Sequence, residues 1–233
     1  MTENRFSATK ALHTKYGKNK DMKTKALLAA GLLMAATAAS SVAQTVYSVN
    51  AVGFVNVNLP SGFALVSNPL EGAVNTVAAL FPNTLPNNSQ VFKFNPVTGS
   101  FSSSTFFFGT WTDASMTLVP GEGFFFRNPS GTTIVNTFVG NVKQGALTTT
   151  LAAGFNMVSS QVPQSGLVAT DLGAPVGNNE TIFKFNNTTG SYESSTLFFG
   201  TWTAGEPTVG VGEGFFLKKN ASASWIRNFS VNQ

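Results

Sequence analysis

The chain has no cysteine, and its one histidine, His13, lies near the N-terminus. The absence of cysteine excludes disulfides, thiol nucleophiles and most zinc, copper and haem sites. Beyond His13, no Ser-His or Cys-His nucleophilic scheme can be assembled. Charged residues make up only 10% of the chain. Stability must therefore come from packing, and no cofactor is expected.

The N-terminal region has the parts of a secretory signal peptide. A short basic stretch at residues 22–25 (MKTK) precedes an apolar run at residues 26–38, and Ser41 and Ala43 are small residues at the −3 and −1 positions. The run is shorter than the roughly 20 residues that a membrane-spanning helix needs. We predict a leader over residues 1–43, cleaved after Ala43, with residues 1–21 reflecting a true start at Met22. Export would end in the periplasm or outside the cell.

The leader carries seven of the 14 basic residues and two of the ten acidic ones. The remainder therefore holds seven bases and eight acids, a net charge of −1. A nucleic-acid partner requires a basic surface, so none is expected. No later segment is apolar enough to span a membrane.

The chain repeats itself at an offset of 91 residues. Residues 91–95 (VFKFN) recur as residues 182–186 (IFKFN), and residues 107–112 (FFGTWT) recur as residues 198–203. Residues 121–125 (GEGFF) recur unchanged as residues 212–216. This period exceeds a solenoid unit of about 20–50 residues and matches a small domain. We predict two homologous modules, at residues 50–141 and 142–233.

Apolar residues alternate with polar ones along residues 55–59 (VNVNL), which is typical of a strand with one buried face. Residues 95–99 (NPVTG) predict a hairpin turn in which Gly99 adopts positive φ. Residues 106–111 read as a strand buried on both faces. The helical candidates are short: residues 75–81, with Asn75 as N-cap, and residues 166–172. The predicted fold class is mainly β, with two tandem antiparallel β-sandwich or barrel-like modules and at most one short helix in each.

Two motifs resemble an uncharacterised group of secreted bacterial proteins. Residues 62–69 (GFALVSNP) match its Gly-aromatic-x-hydrophobic-Val-Ser-x-Pro opening, and residues 120–125 (PGEGFF) match its Pro-Gly-x-Gly-aromatic-aromatic close. The second copy departs from both, because Gln161 stands where Pro69 would fall and Val211 replaces Pro120. The resemblance implies a β-rich extracellular or periplasmic module and carries no assigned catalytic residue.

Eight carboxylates remain as candidates for chemistry, among them the repeat-matched Glu122 and Glu213. A glycosidase needs two carboxyl groups facing one bond, and a twofold packing of the modules would bring these two together. The alternative, which we favour, is that each Glu is structural and either sits in a Gly-x-Gly turn or pairs with Lys93 or Lys184 of its own copy. No catalytic residue and no metal site is predicted, since the acids lack calcium-loop spacing.

Binding remains open. Flat aromatic faces bind sugars in many β-modules, and the candidate ligand-binding residues are Trp111, Trp202, Trp225 and Tyr192, although aromatic residues in strands are more often core. The leading hypothesis is an exported, non-catalytic structural or cell-surface and matrix-associated protein. Its expected partners are a second copy, through residues 106–108 or a strand edge, or a cell-surface polysaccharide. The alternative is a carbohydrate- or ligand-binding module pair.

Overall fold

The computed structural model describes residues 51–231. The predicted leader and its cleavage site after Ala43 lie outside these residues. Within them the protein is mainly β and its sheets are antiparallel, which confirms this part of the predicted fold class. We refer to residues 51–141 as the first half and to residues 142–231 as the second half. The predicted module boundary itself stays a prediction.

The first half contains seven strands and one helix. These are β1 Val52–Leu59, β2 Gly62–Ser67, α1 Val77–Leu80, β3 Gln90–Asn95, β4 Ser100–Phe107, β5 Thr110–Trp111, β6 Gly123–Asn128 and β7 Ile134–Asn141. Five strands form a sheet in the order β2-β6-β3-β4-β5, and β1 pairs with β7 as a separate two-stranded ribbon. The ribbon and α1 contribute side chains to the core that covers one face of the sheet.

The second half contains nine strands. These are β8 Gly145–Leu151, β9 Gly154–Val158, β10 Gly166–Leu167, β11 Glu180–Asn186, β12 Ser191–Phe198, β13 Thr201–Trp202, β14 Thr208–Val209, β15 Phe215–Lys219 and β16 Ala223–Phe229. The sheet order is β9-β15-β11-β12-β13, and β8 pairs with β16 as a ribbon. Each of these strands occupies the place of the first-half strand about 91 residues earlier. A further pair, β10 with β14, completes the half.

Strand alternation decides which side chains enter the core. In β3, Val91 is fully buried, whereas Phe92 and Phe94 point to the opposite face of the sheet. In β6, Phe124 and Phe126 are fully buried and Phe125 lies on the other face with Phe92. Each sheet therefore has two apolar faces, one against its own core and one carrying a second set of aromatic rings.

The helix predictions were partly wrong. The helix α1 begins after Thr76 rather than Asn75, and the Thr76 side chain makes no capping hydrogen bond. The Asn75 side chain instead accepts a hydrogen bond from the Gly72 N–H at 2.9 Å. Residues 166–172 form β10 followed by turns, because two residues of this segment pair with β14 and the Glu206 carboxylate accepts the backbone N–H groups of residues 169 and 170.

The two halves exchange backbone hydrogen bonds at their Gly-Glu-Gly segments. The Ser67 N–H donates to Gly212 O at 2.8 Å, and the Ser159 N–H donates to Gly121 O at 3.0 Å. The second-half segment thus pairs with the end of β2, and the first-half segment pairs with the end of β9. The crossing is so close that a Cβ on Gly214 would lie 3.2 Å from the Gly123 Cα. This reciprocal crossing brings the second aromatic faces of the two sheets together.

Candidate functional site

Ten aromatic side chains line the space between the two sheets. They form five pairs of matched positions: Phe63 and Phe155, Phe92 and Phe183, Phe94 and Phe185, Phe101 and Tyr192, and Phe125 and Phe216. Rings from opposite halves touch at the centre, with Phe94 and Phe216 centroids 5.6 Å apart and Phe125 and Phe185 centroids 5.1 Å apart. Tilted and edge-on arrangements at these distances are favourable. The buried Leu65 and Met157 complete this central cluster.

Groove 1 is an open cleft of about 520 Å³ on one side of the central cluster. Four first-half rings line it, and one ring and one turn come from the second half: Phe63, Phe92, Phe101 and Phe125, then Phe185 and residues 187–190. The turn is anchored, because Asn187 Oδ1 accepts a hydrogen bond from the Leu65 N–H at 3.0 Å. Ser61 and the two threonines of the turn supply hydroxyl groups at the rim.

Groove 2 is the matching cleft of about 390 Å³ on the other side. Its lining follows the same plan with the halves exchanged: Phe155, Phe183, Tyr192 and Phe216 from the second half, then Phe94 and Gly99 from the first. Phe101 borders both grooves. No charged residue is among those that line either groove, but Lys218 Nζ lies 5.6 Å from the centroid of the Phe155 ring in groove 2. The grooves are therefore suited to neutral, flat or apolar groups.

Tyr192 is the predicted site residue that the structure places in a groove. Its side chain is half exposed and packs against Phe185 and Phe216. Partial burial raises the pKa of the Tyr192 hydroxyl above its ordinary value of 10.0. Burial thus favours the neutral form of the hydroxyl.

Two of the three candidate tryptophans lie in the core rather than on the surface. Trp111 and Trp225 are buried, with 6% and 2% of their surface exposed, so neither presents a face to a ligand. Trp225 is fixed in the core by a hydrogen bond from its Nε1 to Leu172 O at 2.9 Å. Trp202 is half buried and packs against the second core. The reason is alternation, since these residues fall on the core faces of β5, β16 and β13.

The matched Lys and Glu residues form ion pairs within their own halves. Lys93 Nζ lies 2.9 Å from Glu122 Oε2, and Lys184 Nζ lies 3.1 Å from Glu213 Oε1. Each carboxylate also accepts a local backbone N–H, from Val119 and from Gly210. The crossing brings the two Gly-Glu-Gly segments together, but each carboxylate is bound by the lysine of its own sheet.

The other six carboxylates also accept hydrogen bonds or form ion pairs within the chain; these are Glu71, Asp113, Asp171, Glu180, Glu193 and Glu206. The most buried is Glu180, which pairs with Lys219. Burial raises the pKa of Glu180, but hydrogen bonds from Lys219 and from the N–H groups of Gly177 and Asn220 outweigh it and bring the pKa below its ordinary value of 4.5. Among residues 51–231, no three acidic, histidine or cysteine side chains are grouped closely enough to hold a metal ion.

Two hairpin tips present exposed aromatic pairs, and the first lies within residues 106–108, where the sequence suggested contact with a second copy. Residues 106–111 are not one buried strand, because the chain reverses at Phe108 and Gly109, which have φ of 46° and 83°. Phe199 and Gly200 repeat this turn with φ of 45° and 80°. Positive φ at both central residues defines a type I′ turn, which favours Asn-Gly. The available signal was the glycine after each Phe-Phe pair, with a threonine to restart the strand.

No family model, curated protein or solved structure matches this chain. In the described part of the chain, no helix has the length and apolar character needed to cross a membrane. The site therefore has to be interpreted from its own geometry, which is that of a mainly β protein with two uncharged aromatic grooves and two exposed aromatic tips.

Proposed function

We propose that this chain is an exported, non-catalytic structural protein that associates with the cell surface or its surrounding matrix. The single observation that carries the proposal is the contrast between its carboxylates and its aromatic rings. All eight carboxylates among the described residues are engaged in contacts that hold the fold, whereas the grooves and tips leave large aromatic surfaces exposed. Exposed apolar surface of this extent is typical of association sites.

The electrostatic environment supports the same function. A hydrolase that uses only carboxylates needs two carboxyl groups that face one scissile bond and are free to reach the substrate. Glu122 and Glu213 have a lysine within 3.1 Å or less and accept a backbone N–H as well. Their positions stabilise the entry to β6 and β15, next to the crossing. The sequence features of the leader support export, with cleavage after Ala43.

Cell fractionation tests this proposal. The full gene, with its leader, is expressed in the producing cells, and the chain is followed in cytoplasm, envelope, extracellular matrix and medium. We expect a chain shortened at Ala43 and recovered mainly with envelope or matrix material. Glu122→Gln with Glu213→Gln serves as the control and should fractionate in the same way. A chain that keeps its leader inside the cell, or a hydrolytic activity abolished by these two substitutions, would contradict the proposal.

A second candidate, carbohydrate binding, is favoured by the rim of groove 1. Ser61, Thr188 and Thr189 place hydroxyl groups around an aromatic floor, which is the combination that binds the faces and edges of sugar rings. Calorimetric titration with neutral polysaccharides tests it, because the buried tryptophans would give little fluorescence signal. Loss of binding in Phe101→Ser would support this function. Heat changes that are unaltered by Phe101→Ser would count against the groove as a sugar site.

A further inference from the structure

We infer that the hairpin tips of one chain insert into the aromatic grooves of a second copy of this chain. The two tips are Phe107 with Phe108 and Phe198 with Phe199, and the two grooves are those that Phe101 separates. The inference rests on the proposed non-catalytic role and adds the partner and the contact. Four observations support it: the tip residues are exposed and strained, the grooves are lined by uncharged aromatic residues, the tips lie far from the grooves of the same chain, and tips and grooves together expose a large aromatic area.

The tips are costly to the isolated fold. Phe108 and Phe199 are 77% and 79% exposed, so burial within the chain does not explain a large aromatic residue at either position. Both also adopt positive φ, which is a clear outlier for a bulky side chain. An Asn side chain anchors each turn, with Asn87 Oδ1 accepting the Phe108 N–H at 2.8 Å and Asn178 Oδ1 accepting the Phe199 N–H at 2.7 Å. A strained conformation that the surrounding structure holds in place is typical of interaction sites.

Within each tip the two rings form a compact edge-on pair. The centroids are 4.3 Å apart in Phe107 and Phe108 and 4.6 Å apart in Phe198 and Phe199. A pair of this kind is an apolar knob at the end of a hairpin. Aromatic residues are enriched as anchors that fill pockets in protein interfaces.

The grooves have the chemistry that such a knob requires. They are lined by aromatic rings with no charged side chain, and their volumes of about 520 and 390 Å³ fall within the usual range of ligand pockets. An anionic partner would have to be desolvated without compensation in either groove. Each chain itself carries two neutral aromatic groups of this kind, one at each hairpin tip.

Tip and groove are too far apart to meet within one chain. Phe101 and Phe107 lie at opposite ends of β4, six residues apart, which corresponds to about 20 Å along a strand. The relation is the same for Tyr192 and Phe198 in β12. The contact must therefore be made between chains. Because a tip binds a groove and not another tip, the contact forms either reciprocally, in a twofold dimer, or head to tail, in a ring or an open chain of copies.

The exposed area is sufficient for association when all contacts are used. From the exposed fractions of the tip and groove-lip rings, each chain offers roughly 900 Å² of aromatic surface, at about 200 Å² for each ring. A standard interface buries roughly 800 Å² on each partner. One tip in one groove would bury roughly 250 Å² on the tip and roughly 180 Å² on the groove lip, about a quarter of the total area of a standard interface. A single such contact therefore predicts weak pairs, and association becomes strong only when several contacts form together.

Two sets of variants test the inference in the protein purified after export of the full chain. The tip variant is Phe108→Asn with Phe199→Asn, which keeps the turn because Asn-Gly is the preferred type I′ sequence. The groove variant is Phe101→Ser with Tyr192→Ser. Val74→Asn, at another exposed apolar position in a loop, is the matched control. Sedimentation velocity over a wide concentration range measures association, and circular dichroism checks the fold.

We expect the wild type and Val74→Asn to associate with rising concentration. The tip and groove variants should each weaken association by roughly tenfold or more, as is usual when an aromatic anchor is removed. When the two variants are mixed, the intact tips of one should bind the intact grooves of the other, so the mixture should associate more strongly than either variant alone.

A wild type that stays monomeric at every concentration overturns the inference, as does a mixture that fails to associate. Polysaccharide binding by a monomeric wild type, lost in the groove variant but kept in the tip variant, would assign the grooves to sugar and also overturn it. A monomeric chain that still fractionates with the envelope leaves the proposed function intact. Assembly of a chain that never reaches the surface contradicts the proposed function alone.

Discussion

The first half of the molecule buries sixteen hydrophobic residues in its core cluster, and the second half buries ten. In the first core, Phe81 is the centre of a group of rings that includes Phe126 at 5.1 Å and Trp111 at 5.8 Å. At the matching position the second half has Leu172, and Leu217 replaces Phe126. Aliphatic side chains therefore fill the place of stacked rings.

Polar residues differ between the cores as well. Ser89 and Asn128 of the first half are buried and neutral, and Asn128 Nδ2 donates to Leu59 O at 2.9 Å. The second half has Glu180 and Lys219 at these positions, an ion pair in which each side chain is only 6% exposed. One half satisfies this buried site with neutral hydrogen bonds and the other with opposite charges.

Against this variation, the outer features agree closely. Both halves keep the Gly-Glu-Gly crossing, the half-exposed rings of the groove lips and the strained Phe-Gly turns. Core packing accepts many combinations of the right volume, so different cores require no special explanation. Exposed aromatic residues in strained turns do require one, and association provides it.

Breaking the buried ion pair should show the largest effect. Lys219→Met leaves the Glu180 carboxylate buried without its cation, and we expect a loss of roughly 3–5 kcal/mol in the free energy of unfolding. Urea denaturation measures it. Lys218→Met, one residue away and exposed, is the control and should cost under about 1 kcal/mol, the value of its contact with the Phe155 ring.

Replacing the Glu180–Lys219 pair by the matching residues of the first half tests whether the loss of stability comes from the unpaired charge. Glu180→Ser with Lys219→Asn removes both charges and introduces the neutral solution, so it should cost clearly less than Lys219→Met alone. If the exchange proves as costly as the single variant, the two halves do not have equivalent sites at this position.

Substitutions at the crossing of the two Gly-Glu-Gly segments should have the next largest effect on stability. A Cβ on Gly214 would lie 2.9 Å from Val66 O, and one on Gly123 would lie 3.0 Å from Val158 O, both of them backbone atoms. We expect Gly214→Ala and Gly123→Ala each to cost roughly 1–3 kcal/mol, since the backbone must shift to make room. Thermal unfolding checks this, with Gly131→Ala, which has nothing within 4 Å, as the control. Equal stability of all three variants would contradict the reciprocal crossing.

The Glu180–Lys219 pair should make the free energy of unfolding depend on pH. Although burial alone would raise the pKa of Glu180, its hydrogen bonds lower it below 4.5, so folding is stabilised by this group above pH 4.5. That stabilisation is lost as the pH falls through the lowered pKa of the folded state. The wild type should therefore lose more stability between neutral pH and the acid range than the Glu180→Ser, Lys219→Asn variant. Parallel curves of unfolding free energy against pH would disprove the contribution.

The sequence was sufficient for the mainly β, antiparallel character of the fold and for the turns at Gly99 and Gly190, but not for the turns at Phe108 and Phe199. Alternation of apolar residues predicted antiparallel strands, and Gly99 and Gly190 adopt the expected positive φ of 66° and 67°. The spacing of matched residues also suggested the Lys93–Glu122 and Lys184–Glu213 pairs, because both members of each pair recur together. These features depend on residues close in sequence or on one strand pattern.

The grooves could not be predicted in this way. They exist because the crossing places Phe94 and Phe125 of one sheet against Phe216 and Phe185 of the other, and no local pattern fixes how two sheets meet. The tryptophans were misleading for a related reason. Ring size suggested a platform, but the face of the strand determines exposure, and that face depends on the register of β5 and β16.

The smallest predicted effect is a gain in stability at the tips. Phe108→Asn replaces a bulky residue at φ of 46° with one that tolerates this conformation, and it loses only an exposed ring contact. We expect a gain of about 1 kcal/mol, which raises the melting temperature by roughly 2–4 °C in a protein of this size. Phe199→Asn should do the same, and the two gains should add, since the substitutions lie in separate turns. Differential scanning calorimetry at low concentration measures the melting temperature of the monomer.

A variant that melts higher yet no longer associates would show that each half retains a strained turn for contact with another chain. A variant that melts lower would mean that the exposed rings support the hairpin itself, and the similarity of the two tips would then reflect folding.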